Sequence, residues 1–210
     1  MKAGSSAAGL ILAAGESRRM GFPKALLRYG EGTFLDTLIA LFGRYCSPVI
    51  VVLGAQAGRI RQAALRPATF VINSDFAQGM TTSLKCGLRA VPPAAGGVLL
   101  TLVDHPAVSS ATLDLLLASP LPVLRVPRYR DRRGHPIWFS RALIPEFLAL
   151  AADSAANQVT HRHFPEAEFL DLGDPGVIAD IDDPACYEQL LSGMSGTARA
   201  ETPAADGGKP

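Results

Sequence analysis

Cysteine is scarce in this chain. There are three in 210 residues, Cys46, Cys86 and Cys186, far apart and with no Cys-x-x-Cys pair. An odd, scattered set supplies neither a disulfide framework nor zinc-ligand spacing, and implies reduced thiols in a cytoplasmic protein. Charge of one sign is equally lacking. Twenty Lys and Arg face nineteen Asp and Glu, a formal net charge of +1. That balance excludes the bulk polycation that wraps nucleic acid non-specifically. The mean hydropathy is +0.20, and alanine supplies much of it. No run reaches the ~18 apolar residues of a membrane-spanning helix. The segment Ala7–Ala14 is short, and Glu16, Arg18 and Arg19 follow it directly, so it reads as a buried strand rather than a signal peptide. Low-complexity composition is confined to the end. From Ser192 the chain is Gly, Ala, Ser, Thr and Pro with scattered charges. Residues 1–191 are therefore expected to form one domain and 192–210 a disordered tail.

What the chain does have is an alternation of short β-branched runs with longer amphipathic stretches. Strands are expected at Leu10–Ala13, Val49–Leu53, Thr69–Ile72, Val98–Val103 and Leu121–Val126. Helices are expected at Thr33–Cys46, Gly58–Leu65, Thr81–Val91 and Ser109–Ala118. A strand around Ile137–Phe139, a helix at Pro145–Ala152, a strand at Phe169–Leu170 and a helix at Pro184–Leu191 complete a less regular second half. The rhythm implies an α/β fold, Rossmann-like, with a mostly parallel sheet and helices on both faces. Ligands in such sheets bind beyond the carboxyl ends of the strands, which points to the loops after Ala13, Leu53, Ile72 and Val103.

Five segments carry chemistry-bearing residues. The first runs from Leu12 through Ala13, Ala14 and Gly15 to Lys24. Small residues there let a base or phosphate approach the backbone, while Arg18, Arg19 and Lys24 can neutralise a polyphosphate. It is not a P-loop: five residues separate Gly15 from Gly21, and Lys24 comes three later, followed by Ala25. A solvated basic loop is the plainer alternative. The second is Asp104-His105-Pro106, a carboxylate at a strand end that suits Mg²⁺ or else caps the helix near Ser109. The third is Asp180-Ile181-Asp182, whose carboxylates share a side if the segment is extended; an acidic helix start explains them equally well. The fourth, Gln78–Ser83, offers hydroxyls and backbone N–H groups at a helix start, Gly79 and Ser83 among them, either an anion or base-edge site or a plain N-cap. The fifth, Arg132-Arg133-Gly134-His135-Pro136, is a basic turn able to meet an anionic substrate or only solvent. His161 and His163 have no partner cluster in the sequence and are not read as metal ligands.

Together these segments resemble the molybdopterin nucleotidyltransferases. The run Leu12–Leu27 is similar to the family's Leu-Ala-Ala-Gly-x-Ser-x-Arg-Met-Gly-x-x-Lys-x-Leu-Leu signature. Gln78-Gly79-Met80, Asp104-x-Pro106, Gly134-His135-Pro136 and Asp180-Ile181-Asp182-x-Pro184 follow in family order, and the likeness covers Gly9–Leu191. Ala13-Ala14-Gly15 and Gly134-His135-Pro136 resemble the cytidylyltransferase branch, where the guanylyl branch usually has Ala-Gly-Gly. The resemblance implies transfer of CMP from CTP to Mo-molybdopterin, with Mg²⁺ and release of pyrophosphate. It implies Arg19, Lys24 and Asp104 as catalytic residues. Leu12, Ala13, Ala14, Gly15, Gly79 and Ser83 would hold the nucleotide with them. Asp104 and Asp182 would hold the metal, and Gly134 and His135 would touch the acceptor. The product would pass to a molybdo-hydroxylase or its chaperone. A GTP-dependent or sugar-phosphate nucleotidyltransferase is the neighbouring reading. A non-catalytic cofactor carrier is the distant one, and Lys24 with Asp104 argues against it. The chain departs from the family at Asp153–Gln158, which lacks the glycines usual after the Gly-His-Pro strand.

Overall fold

The computed structural model describes residues 7–200. β1 (Ala7–Ala13) leads through a long loop to a small hairpin of β2 (Arg28–Tyr29) and β3 (Gly32–Thr33). Then come α1 (Phe34–Phe42), β4 (Cys46–Leu53), α2 (Ala57–Ala63), β5 (Thr69–Ile72), α3 (Met80–Arg89) and β6 (Gly97–Leu102). The second half holds α4 (Ser110–Leu116), β7 (Leu124–Tyr129), β8 (Arg132–Arg133), β9 (Ile137–Ser140), α5 (Ile144–Ala149), α6 (Asn157–Arg162), β10 (Glu168–Asp171) and α7 (Pro184–Ala200).

The main sheet has the order β10-β7-β9-β6-β1-β4-β5, with β8 paired to β7. β1 runs parallel to both β4 and β6, with Ala13 opposite Leu53 and Leu12 opposite Leu102. All seven of its residues are buried, as a central strand covered on both faces requires. Its side chains alternate between two cores. Ile11 and Ala13 join Phe34, Leu38 and Phe42 of α1 and Leu113 of α4 on one face. Leu10 and Leu12 join Leu84 and Leu88 of α3 and Phe147 of α5 on the other. The sheet is mostly parallel, as expected. The exceptions are β9, inserted antiparallel between β6 and β7, and the short β8, antiparallel to β7.

Several expected boundaries move. The helix placed at 33–46 ends at Phe42, and Cys46 instead opens β4. The strand placed at 121–126 is β7, shifted to Leu124–Tyr129. The Pro122 carbonyl accepts from the Trp138 indole instead of a ladder partner, and the ladder continues into a hairpin with β8. The helix placed at 145–152 stops at Ala149, where Leu150 turns extended and its carbonyl accepts from Lys85 Nζ. The last helix does not stop at Leu191 but runs to Ala200, past the expected boundary at Ser192. Residues 201–210 of the expected tail lie outside the described residues.

Candidate active site

The carboxyl ends of β1 and β6 open onto one cavity of about 310 Å³, closed by Ile60 of α2, Phe76 and the start of α3. Eleven of the residues singled out from the sequence line it: Leu12–Gly15, Arg18, Arg19, Lys24, Gly79, Ser83, Asp104 and Asp182. The loop after β1 is shaped by a turn in which Met20 and Gly21 donate to the Ser17 carbonyl. Ser17 then accepts from the Lys24 amide through its hydroxyl. This anchors Lys24 at the start of a 3-10 turn and sends its side chain, only 11% exposed, into the cavity. A Cβ on Gly15 would meet nothing of the protein within 4 Å. The bare backbone there is not demanded by packing. It leaves room for a ligand.

Lys24 Nζ bridges two carboxylates, donating to Asp104 Oδ2 at 2.9 Å and to Asp182 Oδ1. Arg19 also donates to Asp182 from an exposed position. Arg18, exposed at the rim, pairs with Glu16. The Asp104 carbonyl accepts from the Ile181 amide at 3.0 Å, which sets the Asp180–Asp182 segment beside it. One oxygen each from Asp104, Asp180 and Asp182 lie within 4.8 Å of one another. The sequence-level alternatives for these residues are answered by other side chains. Ser109 and Asp174 satisfy the start of α4, and Asp183 accepts from the Cys186 amide at the start of α7. Asp104, Asp180 and Asp182 are left to the cavity. Asp180 was weighed only as a partner of Asp182 in the sequence. Its place in the cluster follows from the fold.

The charges are strongly linked. Burial works to raise the Asp104 pKa, but the hydrogen bond from His105 and the Lys24 charge prevail and hold it well below the carboxylate range. Burial works to lower Lys24, and its bonds to Asp182 and Asp104 prevail and raise it. The Lys24 hydrogen bond lowers Asp182. Asp180 moves the other way: burial, then repulsion from Asp104 and Asp182, raises it. Three clustered carboxylates against Lys24 and the exposed Arg19 leave the group short of positive charge. Oxygen ligands with such a deficit fit a hard divalent cation.

A second cavity, of about 210 Å³, adjoins the first and shares Leu12, Met80 and Leu102 with it. Its walls are largely apolar, with Leu84, Val126, Phe147 and Phe164. Gly134 and His135 line it. Gly134 also has a packing reason, because a Cβ there would fall 2.0 Å from the Val177 carbonyl oxygen. The His135 ring meets the buried His105 ring edge-on at 5.1 Å between centroids, and His105 Nδ1 lies 3.1 Å from Asp104 Oδ1. A contiguous line of side chains thus joins the two cavities. Sequence reasoning missed Asn157 and Thr160 on this wall, and His161, which lies against Phe164. They come from α6, which has a weak apolar pattern and no side-chain cap. The departure at Asp153–Gln158 was the available signal, since Ala156 and Asn157 belong to it.

Residues 9–167 match the family model for the MobA-like NTP transferase domain. The chain is 33% identical over 196 residues to nicotine blue oxidoreductase of Paenarthrobacter nicotinovorans, covering 87% of this chain and 95% of that one. It is 29% identical over 177 residues to molybdenum cofactor cytidylyltransferase of Escherichia coli K12, covering 83% and 90%. Among solved structures, Rv0371c of Mycobacterium tuberculosis H37Rv superposes with a TM-score of 0.80 at 34% identity, covering 91% of this chain and all of that one. A complex of that protein with manganese gives 0.75 at 33% identity, covering 89% and 98%.

Proposed function

The chain belongs to the MobA-like NTP transferase family of nucleotidyltransferases, and from that premise we propose that it moves CMP from CTP onto the terminal phosphate of Mo-molybdopterin. The observation that carries the reading is the single cavity where a bare small-residue backbone, Lys24 and three carboxylates meet. An acceptor phosphate oxygen attacks the α-phosphorus, the bond to the bridging oxygen of pyrophosphate breaks, and pyrophosphate leaves with the electron pair. Such transfers need little covalent help from the protein and depend on positioning and charge stabilisation. Lys24, with Arg19 at the rim, faces the triphosphate and the departing pyrophosphate. The backbone of Leu12–Gly15, with Gly79 and Ser83, holds base and ribose. The second cavity receives the ring end of the acceptor, with Gly134 and His135 on its wall.

Asp104, Asp180 and Asp182 would hold a divalent cation, Mg²⁺ in this reading. Bound there, it neutralises phosphate charge that the carboxylates would otherwise repel. CTP is favoured by Ala13-Ala14-Gly15 and by the full-length relationship to a protein named as a cytidylyltransferase.

The test is pyrophosphate release by purified protein with Mg²⁺ and Mo-molybdopterin, comparing CTP, GTP, ATP and UTP. Release with CTP alone is expected. Release with GTP instead overturns the nucleotide assignment. No release with any of the four overturns the acceptor. In Lys24→Ala the rate with CTP should fall about 10²–10³-fold, the scale of one lost charge-stabilising contact.

A further inference from the structure

One buried polar side chain beside the cavity has no part in the chemistry above. Asn73 follows β5, is 6% exposed, and its amide nitrogen continues the ladder by donating to the Leu53 carbonyl at 2.8 Å. Its side chain is fully committed. Oδ1 accepts from the Asp75 amide at 3.0 Å. Nδ2 donates to Thr82 Oγ1 at 2.9 Å and to Ser83 Oγ at 3.0 Å. The Asp75 amide can only donate, so it fixes which end of the Asn73 side chain is oxygen. Both N–H groups then point at hydroxyls, and both hydroxyls must act as acceptors.

The consequence falls on Ser83. It is 4% exposed and lines the nucleotide cavity. With its oxygen accepting from Asn73, its own proton is free, and no group among the described residues accepts it. Thr82 differs, because its hydroxyl has the carbonyls of Asp75 and Gly79 within reach. A buried hydroxyl proton with no acceptor is costly unless a ligand supplies one. Position says which part of the ligand does so. β5 lies three places across the sheet from β6, which ends at the carboxylates. At ~4.8 Å per place the two strand ends stand roughly 14 Å apart, so Ser83, tied through Asn73 to the β5 side, faces the base when the phosphates are at the carboxylates.

We propose that Asn73 is a positioning residue that sets the hydrogen-bond polarity of Ser83, and that Ser83 donates to the acceptor edge of the base. Cytosine offers adjacent acceptors there, the O2 carbonyl and ring N3. The inference rests on the nucleotidyltransferase reading and deepens it by assigning the contact that reads the base.

Substituting Asn73→Asp keeps the shape and the acceptor for the Asp75 amide. It presents an oxygen to Ser83, so the hydroxyl turns round and its lone pairs face the ligand. Ser83→Ala removes the donor. Affinity would be measured by calorimetry for CTP and for inorganic tripolyphosphate, a probe with the phosphates but no base. Added charge or a loosened fold weakens both probes, whereas a lost base contact weakens CTP alone. Each variant should lose about tenfold in CTP affinity relative to tripolyphosphate, the scale of one buried hydrogen bond. In steady state the loss should be in KM for CTP, with kcat held, as for a contact equal in ground and transition states. In a Ser83→Ala background, Asn73→Asp should change the ratio no further. An unchanged ratio in the single variants overturns the proposal, and a further loss in the double variant overturns the route through Ser83. Wild-type protein that binds tripolyphosphate but not CTP would instead overturn the reading beneath it.

Discussion

His135 lies between the two cavities with its Nδ1 buried and without a hydrogen-bond partner. Burial, and then the neighbouring His105, push its pKa down from 6.5 to about 4. A neutral ring suits that place, since a charged one would stand unpaired at the edge of an apolar cavity. The cost appears in stability. Below pH 6.5 the unfolded chain binds a proton at this position that the folded chain refuses until pH approaches 4. The folded state therefore loses stability as pH falls through this window and recovers it as pH rises. The loss reaches about 2 kcal/mol at pH 5 relative to neutral pH. Urea unfolding of wild type and His135→Gln at both pH values measures it. Wild type should lose more on acidification than the variant, and parallel losses would show that His135 is protonated without cost in the folded chain.

At the scale of elements, the helices owe their place to side chains distant in sequence. Arg125 of β7, 4% exposed, is the clearest case. Its guanidinium donates to the carbonyls of Leu115, Leu116 and Ala118 at the end of α4, to that of Pro120, and to Glu168 of β10. The final carbonyls of a helix have no partner within it, and here one arginine supplies them. Arg125→Met should destabilise the fold by about 3 kcal/mol or more, because several buried carbonyls lose their donor together. Arg125→Lys should rescue only part, since an ammonium cannot serve acceptors spread around a planar fork. Urea midpoints of the two variants test this, and a full rescue by lysine would show that charge alone matters. Nothing in the local sequence announces this role, because β7 carries a second arginine, Arg128, and the two look alike until the end of α4 is placed against one of them. The first-half strands and helices were legible because burial on both faces writes long β-branched runs and clean amphipathic stretches. The limits of β7, α5 and α6 were not, because they depend on the Trp138 indole, on Lys85 and on packing around the second cavity. The same contrast holds for the site. Asp104 stands just past a strand end and Lys24 closes the small-residue and basic loop after β1, so both could be read directly, whereas Asn73 reads as an ordinary turn residue until Ser83 is placed beside it.

For the molecule as a whole, the charged centre depends on contacts that close the chain on itself. Lys24 reaches Asp104 across 80 positions and Asp182 across 158. Asp180 and Asp182 lie beyond residue 167, where the family match ends. They are brought in by a short anchored segment. Asp174 accepts from the Ser109 amide, the Thr112 hydroxyl and the Gly176 amide, while the Val177 carbonyl accepts from the His135 amide. A cation bound by these carboxylates would therefore tie the last segment to the sheet and favour the folded chain by mass action. Manganese is a convenient probe. At about a hundredfold excess over its dissociation constant it should stabilise the protein by about 2.7 kcal/mol, raising Tm by roughly 5–10 °C for a chain of this size. Asp104→Asn should abolish that rise. Asp180→Asn should behave in two directions at once. Without metal its Tm should hold or increase, because burial and the charges of Asp104 and Asp182 already disfavour its ionised form. With manganese its rise should shrink, because one ligand is gone. A full manganese-dependent rise in both variants would place the cation elsewhere and leave Asp104 and Asp182 as partners of Lys24 and Arg19.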